Sequence, residues 1–237
     1  MMRVLLPAGV ADEGARYRVS EEEGHHLMVR RAAEGELVEL RDGAGLVGTG
    51  RLIHSRDGWV VEVVQARREA RPAPLTLAVG AGDRERFGWL VEKAVELGVA
   101  RVVPLETERT VGVASKLRPT QIAKLRRLAV EALKQCGAAW AADIADPMTI
   151  EEFIRKAPEG TRWLAEAAGD PIPDLLDAEP VTVVVGREGG LTAGEADRLR
   201  AAGYRPMTLG PFTLRFETAA VAAAAIVAAA RQRGMHG

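Results

Sequence analysis

From Leu75 onward, nearly continuous apolar runs alternate with segments whose apolar residues recur at helical spacing, and this rhythm predicts a parallel sheet covered by helices. Leu75–Gly80 (LTLAVG) and Val181–Gly186 (VTVVVG) have the composition of strands buried on both faces. Arg84–Leu97 places Phe87, Leu90, Val91, Ala94 and Leu97 at helical spacing, and Gly98 is a natural helix stop. The same reading gives strands at Val102–Leu105, Arg162–Ala167 and Arg205–Leu209. It gives helices at Pro119–Cys136, at Ala193–Ala202 and from about Phe216. Thr192-Ala-Gly-Glu195 has capping-box form, which makes Glu195 a helix cap. The run Ala219–Ala230 (AAVAAAAIVAAA) combines high helix propensity with side chains small enough for close approach, either in a crowded core or at a subunit interface.

Before Leu75 the rhythm is different. Short strands are expected at Arg3–Leu6, across the HHLMVRR stretch (His25–Arg31), and at Leu37–Arg41, Gly48–His54 and Trp59–Ala66. Turn signals stand at Asp42-Gly43 and Asp57-Gly58. Such spacing suggests a small β-barrel or closed sheet. The charged, proline-bearing segment Arg67–Pro74 (RREARPAP) separates the two rhythms, so the expected domains are residues 1–71 and 72–237.

Composition narrows the function classes. A 47% hydrophobic content over 237 residues suffices for packed cores. The balance of 32 Lys plus Arg against 33 Asp plus Glu gives no global attraction to phosphate, so any nucleic-acid contact must come from local patches. One such patch lies between Lys116 and Lys134, where Lys116, Arg118, Lys124, Arg126, Arg127 and Lys134 face a single acid, Glu131. The lone Cys136 makes neither an internal disulfide nor a zinc site. It reads as a packing residue in a reducing compartment, and no metal is expected. No segment has the composition of a membrane span, and the chain reads as cytoplasmic.

The richest chemical signal is Val183-Val-Val-Gly-Arg-Glu-Gly-Gly190, an apolar strand running into a glycine loop and then a capped helix. Open parallel sheets bind ligands at the carboxyl ends of their strands, where glycines let a ligand approach the backbone; a strand-to-helix turn also needs glycines for steric reasons alone. The spacing Gly-x-x-Gly-Gly fits neither the dinucleotide fingerprint nor a P-loop. The second signal is Leu209-Gly-Pro-Phe-Thr-Leu-Arg-Phe-Glu-Thr-Ala219, which again follows a strand and enters a helix. Placed on the neighbouring strand, it would face the first loop across one pocket. Arg215 and Glu217, two residues apart, are either site residues or a surface ion pair.

Together, VGREGG and LGPFTLRFETA resemble the paired loops of the SPOUT methyltransferases, in particular the RsmE family of 16S ribosomal RNA uracil-N3 methyltransferases. HHLMVRR, EKAVELGVARVVPLETERT (Glu92–Thr110) and EALKQCG (Glu131–Gly137) match that family in the same order. The resemblance implies a PUA-like β-barrel followed by an α/β domain with a C-terminal trefoil knot, working as a homodimer on 16S rRNA or the small ribosomal subunit. It implies transfer of a methyl group from S-adenosyl-L-methionine to N3 of one uridine, the family's uridine 1498. The cofactor pocket it implies is formed by Leu164, Glu166, Gly186, Glu188, Gly189, Leu209, Gly210, Leu214, Arg215 and Thr218. Arg215 is the choice for stabilising charge on the base. Glu188 or Glu217 would either accept the N3 proton or hold loop amides, leaving the general base unassigned. RNA contacts are expected from His25, His26, Arg30, Arg31, Lys116, Arg118, Lys124 and Arg127. Four positions depart from the family pattern: Arg187 replaces the usual proline, Pro211 and Phe212 replace a basic pair, and Ala138 replaces an arginine. A different SPOUT reaction, on a ribose or a tRNA base, and a non-catalytic RNA-binding protein are the alternatives.

Overall fold

The computed structural model describes residues 1–9, 12–110, 117–173, 176 and 179–234. They form two compact units. The first is Met1–Arg71 with Glu131–Ala141, and the second is Pro72–Val130 with Ala142–Gly237. Glu131–Ala141, which the sequence reading assigned to the second domain, thus packs with the first.

The first unit contains β1 (Arg3–Leu5), β2 (Arg16–Arg18), α1 (Glu21–Val29), β3 (Leu37–Arg41), β4 (Leu46–Ser55) and β5 (Gly58–Arg68). Its mixed sheet runs β1-β3-β4-β5-β2, with β1 parallel to β3 and the other pairs antiparallel. Inward residues from four strands, among them Val4, Leu40, Leu52 and Val61, join Leu27 of α1 in one core. The β3–β4 turn is held by the Asp42 carboxylate, which accepts the amides of Ala44 at 2.7 Å and Leu46 at 2.9 Å.

One expectation fails here: HHLMVRR is not a strand. Its first five residues end α1, and Arg30 is the helix C-cap. Ser20 caps the helix by accepting the Glu23 amide at 3.2 Å, and Glu21, Glu22 and Glu23 place negative charge in the first turn, where the helix dipole favours it. Glu23 and Leu27, four residues apart, form the buried face. Strand β2 was not anticipated either.

The second unit follows the expected alternation closely. Its elements are β6 (Leu75–Gly80), α2 (Arg84–Glu96), β7 (Arg101–Glu106), the first two-thirds of α3 (Pro119–Cys136), β8 (Asp143–Ile144), β9 (Met148–Thr149), α4 (Ile150–Lys156), β10 (Thr161–Asp170), β11 (Val181–Val185), α5 (Ala193–Ala201), β12 (Arg205–Met207) and α6 (Phe216–Gly234). The sheet runs β12-β10-β11-β6-β7-β8, with β9 also on β7, and every pair is parallel. All residues of β6 and β11 are buried, as their composition requires. The capping box at Thr192–Glu195 is present, and a second one at Thr149–Glu152 opens the unanticipated α4.

Helix α6 packs on α2, β6 and β11. Ala219, Ala220, Ala223, Ala224, Val227 and Ala230 are buried, so the alanines facing inward serve a crowded core. At the other end of the sheet, β10 and β12 approach so closely that a Cβ on Gly169 would stand 2.4 Å from the Met207 backbone nitrogen. Only glycine fits there. Among the described residues no helix is long and apolar enough to cross a membrane.

Candidate active site

Three strand ends build the site, and all three belong to the second unit. Strand β11 runs into Gly186–Gly190, which turns back on itself: the Gly190 amide donates to the Arg187 carbonyl at 2.7 Å, and Gly190 has φ +69°. A Cβ on Gly186 would stand 3.0 Å from Gly190 Cα, so the tightness of the turn excludes a side chain there. Strand β12 runs into residues 208–215, where the Thr208 amide donates to the Asp170 carbonyl at 3.0 Å and Gly210 takes φ +150°. Between them β10 contributes Ala165, Glu166 and Ala167. The second loop therefore does not come from the strand next to β11, as expected, because β10 is interposed.

These ends enclose a cavity of about 230 Å³, open to solvent on one side. Its position at the carboxyl ends of parallel strands is where such sheets bind ligands. Of the residues expected from the sequence, Glu166, Gly186, Glu188, Leu209, Gly210 and Leu214 line it. Leu164 does not: it is buried in the hydrophobic core. Gly189 packs beside the Arg109 guanidinium, its virtual Cβ 3.1 Å from Nη1. Arg215 and Thr218 are exposed and lie outside the lining, although Leu214 and Phe216, which flank Arg215, belong to it.

Sequence reasoning missed several lining groups. Phe212, Thr213 and Phe216 come from the second loop and the start of α6, and Thr208 and Ala219 join them. It also missed the β6–α2 loop behind the site, signalled by Gly80-Ala-Gly-Asp83 after a strand. Asp83 caps α2, and a Cβ on Gly82 would meet both Glu188 carboxylate oxygens and Phe216 Cε1 at 2.8 Å. Phe216 is itself stacked on Phe87 of α2, with ring centroids 6.3 Å apart.

The charged groups divide clearly. Both carboxylate oxygens of Glu166 accept from Arg200 Nη2, at 2.6 and 2.8 Å, which holds the carboxylate at the cavity edge. Glu188 accepts the Asp83 amide at 3.1 Å and stands 3.4 Å from Arg187 Nε. Burial alone would push its carboxyl up, but its own amide, the Asp83 amide and the Arg187 guanidinium outweigh that and hold it below the usual 4.5. This contribution to loop order is complete above the ordinary carboxylate range and is lost as pH falls through the lower folded-state value. The Asp83 amide resonance is expected to titrate with a midpoint below 4.5, and that step should vanish in Glu188→Gln. A midpoint at or above 4.5 would contradict the geometry.

Glu217 is 7% exposed, 3.8 Å from Arg86, and its Oε2 has no hydrogen-bond partner. It is not part of the cavity lining. Arg187 is anchored by three contacts. Its guanidinium donates to the Arg109 carbonyl, it faces Glu188, and its amide lies against Gly80.

The basic candidates fall on both units. His25 is exposed and His26 half-buried on α1, while Arg30 and Arg31 are exposed just beyond it, Arg31 with φ +54°. In the second unit Arg118, Lys124 and Arg127 are exposed, whereas Arg126 is paired with Asp146 at 2.9 Å. Lys116 lies outside the described residues. Lys134 leaves the basic patch altogether, because it is buried against Glu23. Cys136 is exposed rather than a packing residue.

Residues 69–228 match the RNA methyltransferase domain family. The ribosomal RNA small subunit methyltransferases E of Synechocystis and Aquifex aeolicus are each 30% identical to the chain. The first match covers 85% of this chain and 69% of that protein, the second 87% and 91%. The crystal structure of a ribosomal RNA small subunit methyltransferase E from Neisseria gonorrhoeae bound to S-adenosyl methionine superposes with a TM-score of 0.84 at 27% identity, covering 95% of each chain. Sequence and fold agree over nearly the whole length, and the chain belongs to the ribosomal RNA small subunit methyltransferase E (RsmE) family.

Proposed function

We propose that the protein methylates N3 of one uridine in 16S rRNA, uridine 1498 in the family's numbering, using S-adenosyl-L-methionine. The observation that carries this reading is the convergence of both glycine-bearing loops and the end of β10 on one cavity. The residues present fit the cofactor. Backbone groups of Gly186, Leu209 and Gly210 are available to the adenine and ribose, the side chains of Leu209 and Leu214 offer apolar surface to a ring, and the fixed Glu166 carboxylate suits a ribose hydroxyl. Gly189 backs this loop, while Arg215 and Thr218 flank the second one.

Bound S-adenosyl-L-methionine supplies a sulfonium methyl group whose transfer is an in-line displacement, the C–N bond to N3 forming as the S–C bond breaks. The chain's own work is to position the acceptor and to stabilise the negative charge that spreads over the base when the N3 proton leaves for solvent. Arg215, an exposed permanent cation between the lining residues Leu214 and Phe216, carries the second task. Glu188 is committed to the Asp83 amide and is a loop-holding residue. Glu217 keeps a free oxygen but is buried away from the lining, so neither carboxylate is assigned as the base.

The first unit acts as the PUA-like RNA-binding domain, with His25, His26, Arg30 and Arg31 as its contacts. Arg118, Lys124 and Arg127 add phosphate contacts, as does Lys116 by position in the sequence. The return of the chain from β12 to α6 forms the trefoil knot. The outer face of α6, with half-buried Val221 and Ile226, and Trp89 of the adjacent α2, 45% exposed, form the homodimer contact. Two measurements test the reaction: titration calorimetry with S-adenosyl-L-methionine, and mass mapping of 16S rRNA from cells lacking the protein. Stoichiometric binding and loss of one N3-methyluridine are expected. Absence of binding would favour a non-catalytic RNA-binding protein, and a missing ribose or tRNA-base methyl group a different reaction of the superfamily.

A further inference from the structure

Phe212 is 80% exposed, the most exposed of the described large hydrophobic residues, yet it lines the cavity. An isolated aromatic ring in water at a cavity rim gives up the burial that its size would otherwise gain. Its backbone is well held: Gly210 takes a φ of +150°, Pro211 fixes its own φ, and the Thr208 amide is tied to Asp170. The other large apolar groups of this loop, Leu209, Leu214 and Phe216, are half-buried or buried, and only Phe212 projects to the open side. An acceptor base must enter from that side, because an in-line transfer places it opposite the sulfonium.

We infer that Phe212 is the stacking platform for the acceptor pyrimidine, holding the unstacked base over the cavity mouth. This inference rests on the methyltransferase reading and adds to it the group that orients the base. A nucleobase drawn out of its stack needs a new partner for its π-face, and aromatic side chains provide one. Arg215, three residues on and exposed, then meets the edge of the same base, where O2 and O4 lie.

The test compares Phe212→Ala, Phe212→Leu and Phe212→Trp, with unmethylated small ribosomal subunits as acceptor and S-adenosyl-L-methionine affinity measured separately. Phe212→Ala and Phe212→Leu should lower kcat/KM for the subunit about 5- to 100-fold, chiefly through KM, with cofactor affinity changed less than about twofold. Phe212→Trp should retain wild-type kcat/KM. Full activity in Phe212→Ala, or rescue by leucine, overturns the inference alone. So does a proportional loss of cofactor affinity, which would put the ring against the cofactor. Loss of self-association in sedimentation also overturns it, by placing the ring between two copies of the chain. Wild-type protein that binds no S-adenosyl-L-methionine overturns both the inference and the function beneath it.

Discussion

Arg215→Ala is expected to lower kcat for methyl transfer about 10²- to 10³-fold, the scale seen when one preorganised group facing developing charge is removed. The side chain is exposed and outside the cavity lining, whereas its neighbours Leu214 and Phe216 belong to it, so the proposed role is toward the base and not the cofactor. Cofactor affinity measured by calorimetry should therefore change by less than about twofold. N3 of uracil becomes nucleophilic only when its proton has gone, and the negative charge then resides largely on O2 and O4, which a fixed guanidinium stabilises. The defect should shrink as pH rises, because alkali supplies the deprotonated base without help. Arg215→Lys should recover only part of the rate, since it keeps the charge but loses the planar fork. An alanine variant with wild-type kcat, or one whose defect does not change with pH, would remove Arg215 from the chemistry.

The second unit was legible because each of its signals is local. Fully apolar β6 and β11, the glycine stop after α2 and the capping box at Thr192 each specify their own conformation, and the structure bears them out. The two glycine loops were legible as strand-end turns for the same reason. Their meeting across one pocket was expected as well, but not the strand between them, because strand order is a long-range property. Nothing in the sequence around Trp163 says that β10 lies between β11 and β12, and this interposition brings Ala165 and Ala167 into the lining. The α1 error has a different cause. HHLMVRR is too short for its period to separate strand from helix, and the deciding signal was Ser20 followed by three glutamates upstream. Lys134 was misassigned because the partner that buries it, Glu23, lies 111 residues away in sequence. Charge counted along one helix cannot show which members are exposed.

That pair carries the largest stability effect expected in the first unit. Lys134 Nζ lies 2.5 Å from Glu23 Oε1 and 3.2 Å from Glu131 Oε1, and Glu23 Oε2 accepts the Leu5 amide at 3.3 Å. The two side chains of the pair are 8% and 7% exposed. Lys134→Met leaves the Glu23 carboxylate buried without its cation, a change that costs about 3–5 kcal/mol. Denaturant unfolding at pH 7 should show this loss. The double variant Lys134→Met, Glu23→Met should recover most of it, because replacing both charges by apolar groups of similar size is close to neutral. Burial lowers the lysine's pKa, but the Glu23 hydrogen bond and the charges of Glu23 and Glu131 outweigh it, so the pKa is raised above 10.5. A raised lysine pKa means that the stabilisation is complete below the unfolded value and is lost only as pH climbs through the higher folded one. The wild type should therefore hold this stability up to about pH 10.5 and decline above it, and Lys134→Met should lack that alkaline step. If the single and double variants were equally destabilised, the cost would come from lost packing around α1 and not from an uncompensated carboxylate.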